Sequence, residues 1–314
     1  MHPPITIAMA SYNGARFIRA QLDSIAQQSV TNWRLVVSDD GSTDETRQIV
    51  AKFARDCPPG QVELIEGPRQ GATRNFLHLT RQADPRGWLA YADQDDFWLP
   101  DRLERGIAFL SRQTGAAIYA ARTTICDEDL EPIAPAPAFP GPFTFRNALI
   151  QACLPGNTIL ANSAALGVLQ AAGPAAEVAD IVSHDWWAYQ LLSGVGASIQ
   201  RDTAQVLLYR QHPENVMGRN DTTRARFARF SMLFDGRFAE WLAQNQQALE
   251  PVAHLMLPEN QALLKRFGQA IRASGPRALG AALKMGLYRQ SRTGTAAILA
   301  AAAMGRLRRK QSLP

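Results

Sequence analysis

The feature that most constrains this chain is an alternation, repeated four times before residue 111, of a short apolar run, a turn and a helical pattern. Ile5–Ala10 reads as a buried strand closed by Ser11-Tyr12-Asn13-Gly14, after which Phe17, Ile18, Leu22 and Ile25 recur at helical spacing. Trp33–Ser38 is a second strand, ended by Asp39-Asp40-Gly41. Ser42 with Glu45 then reads as a capping box that opens a helix running to about Ala54. Val62–Ile65 and Gly71–Ala83 make the third pair, the helix turning Phe76, Leu77 and Leu79 inward. Trp88–Ala92 is the fourth strand and runs into Asp93-Gln94-Asp95-Asp96; Pro100 opens the next helix, continued by Leu103, Ile107 and Leu110. Four such units imply right-handed crossovers and predict an α/β fold, a doubly wound and mainly parallel sheet covered on both faces. Ligands of such sheets bind outside the carboxyl ends of the strands. The acidic turns are therefore expected on one rim.

The rest of the chain is less regular. Ala116–Ile125 reads as a strand, and five prolines between Pro132 and Pro142 predict a loop that cannot pair inside a sheet, either a solvated connection or a wall over the site. Gly156–Ala161 reads as a strand, Ser163–Ala172 and Ser183–Leu192 as helices, and Val206–Tyr209 as a late strand leading to Arg210-Gln211-His212. Helices separated at Pro251, Pro258 and Pro276 follow, a C-terminal helical extension. Charge divides the chain in the same place. Residues 1–222 carry a net charge of −6 and residues 223–314 a net of +11, which predicts an acidic body and a basic helical region with different partners.

Three widely spaced cysteines without a CxxC pair argue against a disulfide framework or a thiolate zinc site. Met1–Pro4 offers no basic leader, and the longest stretch nearly free of charge carries seven prolines, so a cytoplasmic setting is expected. No G-x-G-x-x-G follows the first strand, which disfavours a nicotinamide dehydrogenase. G-x-x-x-x-G-K-[ST] and G-x-S-x-G are also missing, which removes P-loop NTPases and serine hydrolases.

Three carboxylates within Asp93–Asp96 repel one another, and their oxygens suit Mg²⁺ or Mn²⁺, which take one or two carboxylates plus phosphate oxygens. A helix N-terminal role is the alternative, and it suits Asp96 or Asp101. Asp40 stands where doubly wound folds grip a nucleoside, although Asp-Gly is also good turn chemistry; Asp39 reads as a brace for the loop. Asp185, between His184 and the pair Trp186-Trp187, reads either as a desolvated general base or as a buried structural acid. Of the two tryptophans one is expected in the core and the other on a pocket wall. His212 reads as a third metal ligand, a phosphate contact or an ordinary hydrogen-bonding residue.

Together the segments ASYNG (10–14), VVSDDGSTD (36–44), RNF (74–76), ADQDDFWLPDRL (92–103), HDWW (184–187) and LYRQHPENVMG (208–218) resemble family 2 glycosyltransferases, most closely their bacterial rhamnosyltransferase-like branch. The resemblance covers about residues 5–218. It implies a GT-A fold over 1–222 and inverting transfer of a sugar from a nucleotide diphosphate donor. Rhamnose from dTDP-rhamnose is the first expectation, and a UDP-hexose the second. It further implies that Ala10, Ser11, Asp40, Arg74, Asp93 and Gln94 meet the nucleotide sugar, that Asp93, Asp95 and His212 meet the metal, and that Asp185 is the base. The acceptor it implies is a glycan or a lipid-linked saccharide. His184 stands where many relatives carry Glu.

From 223 on, Arg224, Arg226, Arg229, Lys265, Arg266, Arg272, Arg277, Lys284, Arg289, Arg292 and Arg306–Lys310 are interleaved with apolar residues. This pattern fits an anionic inner-membrane surface or a solvated face; no nucleic-acid module is recognisable, and nucleic acid is not an expected partner. Outside the transferase class stand a sugar nucleotidyltransferase, whose Gly-rich basic loop Ser11–Arg16 imitates poorly, and an idle binding domain, which has no need of Asp93, Asp95 and Asp185 together.

Overall fold

The computed structural model describes residues 2–213, 233 and 235–308. The expected boundary at 222/223, motif residues Glu214–Gly218, and Arg224, Arg226, Arg229, Arg309 and Lys310 lie outside the described residues. The chain divides into two compact units, one of residues 2–138, 154–173 and 197–213, the other of 139–153, 174–196 and the described residues from 233 on.

The first unit is built on β1 (Ile5–Ser11), β2 (Trp33–Asp39), β3 (Val62–Glu66), β4 (Trp88–Asp93), β5 (Phe97–Trp98), β6 (Ala117–Cys126), β7 (Pro132–Pro135), β8 (Leu160–Ala161) and β9 (Ser198–Arg210). They form one mixed sheet in the order β3-β2-β1-β4-β8-β6-β9-β5, with β7 added to β6. β1–β4 are parallel to one another and β9 is parallel to β6, while the two-residue β8 runs antiparallel between β4 and β6. Strand order reverses at β1/β4, and there the register sets Ala10 opposite Asp93 and Ser11 opposite Asp39. Alternate residues of β1, Ile5, Ile7 and Met9, pack into one apolar cluster with Ile18, Leu22 and Ile25 of α1 (Ile18–Ala26) and with Leu35 and Val37 of β2. The remaining helices of this part are α2 (Thr46–Asp56), α3 (Ala72–Gln82) and α4 (Arg102–Leu110).

Several details differ from the sequence expectation, among them the late strand, which starts at Ser198 instead of Val206. The capping box is not formed: Ser42 turns its hydroxyl to Asp39, and α2 starts at Thr46, whose N–H is met by Asp44. The proline run is not all loop, because β7 pairs Ala134 with Ile125 of β6, off the main strand path, where the missing N–H groups are tolerated. Gly156–Thr158 is a 3₁₀ turn, leaving only Leu160–Ala161 as strand. Helix α6 (Ser163–Ala179) continues through Pro174 instead of ending near Ala172.

The second unit holds α5 (Phe145–Ala148), α7 (His184–Gly194), α8 (Arg237–Leu249), α9 (Pro258–Ala270), α10 (Gly275–Met285) and α11 (Arg292–Ala303). Residues Trp186–Gly194 of α7 are buried all round, so both Trp186 and Trp187 are core residues and neither is left for a pocket wall. Trp186 stacks on Phe238 of α8 at 6.1 Å and donates its indole N–H to the Ala148 carbonyl at 2.7 Å. The last carbonyls of α7 are met from α9 and the residue before it: the Asn260 amide donates to Gly194 O at 2.9 Å, and Leu257 N–H does so at 3.1 Å. Further on, Asn147 donates to the Tyr288 carbonyl at 3.0 Å and Gln290 N–H to the Gln151 side chain at 2.8 Å. The helices after 233 are therefore integral to the unit that carries Asp185. Among the described residues no helix is long and apolar enough to cross a membrane.

Candidate active site

Parallel strands deliver Ser11, Asp39 and Asp93 to one rim, as the sequence implied. The loop after β1 is held there by the side chains of its neighbours. Asn13 N–H donates to the Ser42 hydroxyl at 2.9 Å, Gly14 N–H to Thr46 Oγ1 at 2.8 Å and Ala15 N–H to Asp44 at 3.0 Å. Asn13 takes the left-handed conformation (φ 45°), open to Asn at little cost, and its side chain accepts from Thr43 N–H at 2.9 Å. The Gly-Ser-Thr-Asp run thus forms a seam between two loops. On the opposite flank Gln94 acts like a strand edge: its Oε1 accepts from Tyr12 N–H and its Nε2 donates to Tyr12 O, both at 3.0 Å.

The two acids after β2 do different work. Asp39 is fully buried, and burial alone would raise its pKa. The hydroxyl and backbone N–H of Ser42, then Arg47 and Ser11, outweigh that and hold its carboxyl below the usual range. Asp39 braces the loop, as read from the sequence. Asp40 binds the segment entering α3: its two oxygens accept from Arg69 N–H at 2.6 Å and Gly71 N–H at 2.7 Å. A Cβ at Gly67 would sit 2.8 Å from Asp39 O and 2.9 Å from Asp40 Oδ1, so only glycine lets this segment pass. The Arg-Asn-Phe motif follows on α3. There Arg74 is half-buried, Asn75 donates to Ser38 O at 2.8 Å, and Phe76 is core.

The acidic turn after β4 separates its three carboxylates by depth. Asp93 and Asp95 are half-buried at the rim, whereas Asp96 is fully buried and accepts from the Asn157 amide at 2.7 Å. Burial first, then the charges of Asp93 and Asp95, push the Asp96 carboxyl well above the usual range. Behind it lies Arg102, also buried, which donates to Asn157 O at 2.7 Å and Tyr91 O at 2.9 Å and lies 3.3 Å over the Trp98 ring. Burial pulls the Arg102 pKa down to about 9, against the opposing pull of Tyr119, Asp96 and Asp93. His212 reaches the same turn, with Nε2 2.7 Å from Asp95 Oδ2.

Ala10, Ser11, Asp40, Asp93, Gln94, Asp95 and His212 thus belong to one rim of the first unit, with Arg74 one turn into α3. Asp185 belongs to the second unit. It stands in the first turn of α7, half-buried, and its Oδ1 accepts from Trp186 N–H at 2.7 Å. Burial pushes its neighbour His184 down to about 4, against the raising effect of the Asp185 charge. Sequence reasoning missed Asn157, Arg102 and Arg210. Only Arg210 left a signal, its two-residue spacing from His212.

Among the described residues no three of His, Cys, Asp and Glu are gathered closely enough to hold a metal ion by themselves. The chemistry of the rim still fits one ligand class. Asp93 and Asp95 are hard oxygen donors in the number that Mg²⁺ or Mn²⁺ draws from protein when phosphate oxygens complete its shell.

The sequence model described as glycosyl transferase family 2 matches residues 6–168, just over half of the chain. The dTDP-rhamnosyl transferase RfbG of Shigella flexneri is 26% identical over 239 residues, covering 72% of this chain and 78% of that protein. The UDP-Glc:alpha-D-GlcNAc-diphosphoundecaprenol beta-1,3-glucosyltransferase WfgD of Escherichia coli is 30% identical over 116 residues, 37% of this chain and 44% of that one. The chain therefore spans under half the length of this second relative. Among solved structures, TarS 1–349 of S. aureus, in complex with UDP-GlcNAc, superposes with a TM-score of 0.52 at 14% identity over 90% of each chain, which shows the GT-A fold and nothing finer. The sheet, the rim and the family match agree: the chain belongs to glycosyl transferase family 2 and is a glycosyltransferase that draws on a nucleotide-sugar donor.

Proposed function

We propose that this transferase moves a rhamnosyl residue, with inversion, from dTDP-rhamnose to a hydroxyl of a cell-surface glycan or lipid-linked saccharide. The observation that carries the donor is the extent of the match to the Shigella flexneri rhamnosyl transferase, across nearly three quarters of the chain and beyond the family segment. A UDP-hexose donor is the second reading, favoured by the shorter match to the Escherichia coli glucosyltransferase. In this reading the transferase residues lie within 1–222, and 223–314 is a basic helical region whose described helices belong to the unit that bears Asp185.

Ala10, Ser11, Asp40, Arg74 and Gln94 hold the donor. Each Asp40 oxygen accepts one backbone N–H and retains capacity for a second donor, such as a base N–H. Asp93 and Asp95, with His212 beside Asp95, are the residues that would hold Mg²⁺ or Mn²⁺, and the ion when bound supplies positive charge to the leaving diphosphate. Asp185 takes the acceptor hydroxyl proton as that oxygen bonds to the anomeric carbon and the bond from that carbon to the diphosphate oxygen breaks. General-base assistance of this kind contributes about 10²–10⁴-fold. The expected behaviour of Asp185→Asn is near-normal donor binding with turnover reduced on that scale; parallel loss of both would remove the role.

The donor is tested by thermal unfolding with dTDP-rhamnose, UDP-glucose and UDP-galactose, with and without MnCl₂. A donor at 100 times its Kd adds about 2.7 kcal/mol, a shift of several degrees. A Mn²⁺-dependent shift with dTDP-rhamnose alone supports the first reading, a shift with a UDP-hexose the second, and none with any donor opposes both.

The basic region meets an anionic membrane surface in this reading, consistent with a cytoplasmic enzyme peripheral to the inner membrane. After Glu259 the sequence contains no acidic residue, and Lys265, Arg266, Arg277, Lys284, Arg292 and Arg308 are exposed. Each basic side chain near such a surface contributes about 1 kcal/mol. Co-sedimentation with vesicles rich in phosphatidylglycerol, and none with neutral vesicles, is expected; equal behaviour with both would refute the surface.

A further inference from the structure

Where β9 ends, one side chain spans three separate segments. Arg210 is only 5% exposed, and its Nε donates to the main-chain oxygen of Asp95 at 2.9 Å. Its Nη1 donates to the main-chain oxygen of Glu128, and its guanidinium lies 4.6 Å over the Phe17 ring just ahead of α1. Two residues on, the His212 ring packs against the same Phe17 at 4.8 Å while its Nε2 meets Asp95 Oδ2. Alternate residues of an extended chain face one side, so Arg-x-His turns both groups toward Phe17 and the acidic turn together. A planar fork satisfies two carbonyls at fixed angles, which a lysine ammonium on a flexible stem does not reproduce.

We propose that Arg210, seated on Phe17, is a positioning residue: by fixing the main chain of Asp95 and the path of the strand end, it sets the Asp95–His212 pair at the donor rim. Its charge faces Asp95 and Asp96 and, against them, Arg16; burial lowers its pKa, so it is an interior strut rather than a surface cation. The proposal rests on the donor-site reading above.

The test uses Arg210→Lys, Phe17→Leu and Phe17→Tyr in the full chain. The readouts are calorimetric affinity for dTDP and for UDP with MnCl₂, and the imidazole NMR signals of His212, assigned by their loss in His212→Gln. Arg210→Lys is expected to weaken nucleotide binding about tenfold, the scale of one charge-assisted hydrogen bond, and to move the His212 signals. Phe17→Leu should do both to a smaller degree, Phe17→Tyr should restore both, and Arg210→Lys with Phe17→Leu together should be no worse than Arg210→Lys alone. A folded Arg210→Lys with wild-type affinity and unmoved His212 signals overturns the proposal. Should that variant not fold, unmoved signals and affinity in Phe17→Leu overturn it instead. If the wild-type chain binds neither nucleotide, the donor reading has failed, and the His212 signals still decide the strut.

Discussion

Gly14 and Gln94 provide a sharp test of how the loop after β1 is held. A Cβ added at Gly14 would sit 2.1 Å from Gln94 Oε1, 2.5 Å from its Cδ and 3.0 Å from its Nε2, and its three nearest neighbours are all atoms of that one amide. Gly14 has no positive φ, so alanine suits the backbone and the whole penalty is steric. The amide is the far end of a flexible side chain and can swing away, but doing so breaks both bonds to Tyr12. Those bonds are exposed, so each contributes near the lower end of about 0.5–1.5 kcal/mol. Gln94→Ala should then cost about 1 kcal/mol, or roughly 2 °C in a chain of this size. Gly14→Ala should cost at most about 0.6 kcal/mol, because alanine gains about 0.4–1 kcal/mol through the unfolded state, which offsets part of the same loss. In the Gln94→Ala background the clash is gone, and Gly14→Ala should stabilise by about 0.4–1 kcal/mol through the unfolded state. The sign of one substitution reverses with its neighbour. Urea midpoints followed by circular dichroism for the four proteins measure it. The same cost for Gly14→Ala in both backgrounds would refute the clash with Gln94 as the reason for glycine there.

Other consequences can be measured on the same footing. His184 is pushed down to about 4 inside the fold, so the unfolded chain takes up the proton first: stability should fall as pH drops from about 6.5 towards 4, and His184→Asn should flatten that limb of a Tm–pH curve. Asp39 is held below its ordinary value, so its contribution is present above about pH 4 and lost as pH falls through the folded value. The stability gap between wild type and Asp39→Asn should be wide at pH 7 and narrow below about pH 4. Arg102→Met leaves the carbonyls of Tyr91 and Asn157 without this buried donor, and should cost about 2–5 kcal/mol by denaturant titration.

How much of this was legible in the sequence follows from the range of each interaction. The strands were readable because Ile5–Ala10, Trp33–Ser38 and Trp88–Ala92 are buried on both faces and carry their own apolar signal, and their order placed Asp40 and Asp93 on one rim. Ser42 misled because a hydroxyl that suits a helix cap suits equally well the N–H of Asn13, 29 residues away, and local spacing does not distinguish the two. β5 and β8 are two residues long, too short for periodicity, and exist because partners far along the chain pair with them, Phe97 with Leu208 and Leu160 with Tyr119. The tryptophan pair misled for the converse reason: adjacent residues on a helix face different ways, but α7 is enclosed all round, so both directions lead inward. Arg102 was invisible because an arginine at a helix start reads as solvated until Asp96 and Asn157 are seen beneath the turn.

The acidic turn shows what such hidden residues accomplish. Three carboxylates in four residues should resist being folded together, which from sequence alone calls for an external cation. The chain meets much of that demand from within. Asp96 is withdrawn from the rim into the core, where burial disfavours its ionised form and the Asn157 amide supports it. Arg102, bonded to the same Asn157, places a buried positive charge behind the turn. His212 and the Arg210 fork then attach to Asp95 from the far side of the sheet order. What stays at the rim is a pair, Asp93 and Asp95, with the main chain of Asp95 held from behind by the Arg210 fork. A pair of carboxylates backed by a rigid turn is what a divalent ion takes when it keeps its other positions for phosphate oxygens. The fourth letter of the Asp-Gln-Asp-Asp motif therefore belongs to the fold, and under the proposed function the first and third are the ones left at the rim for the ion.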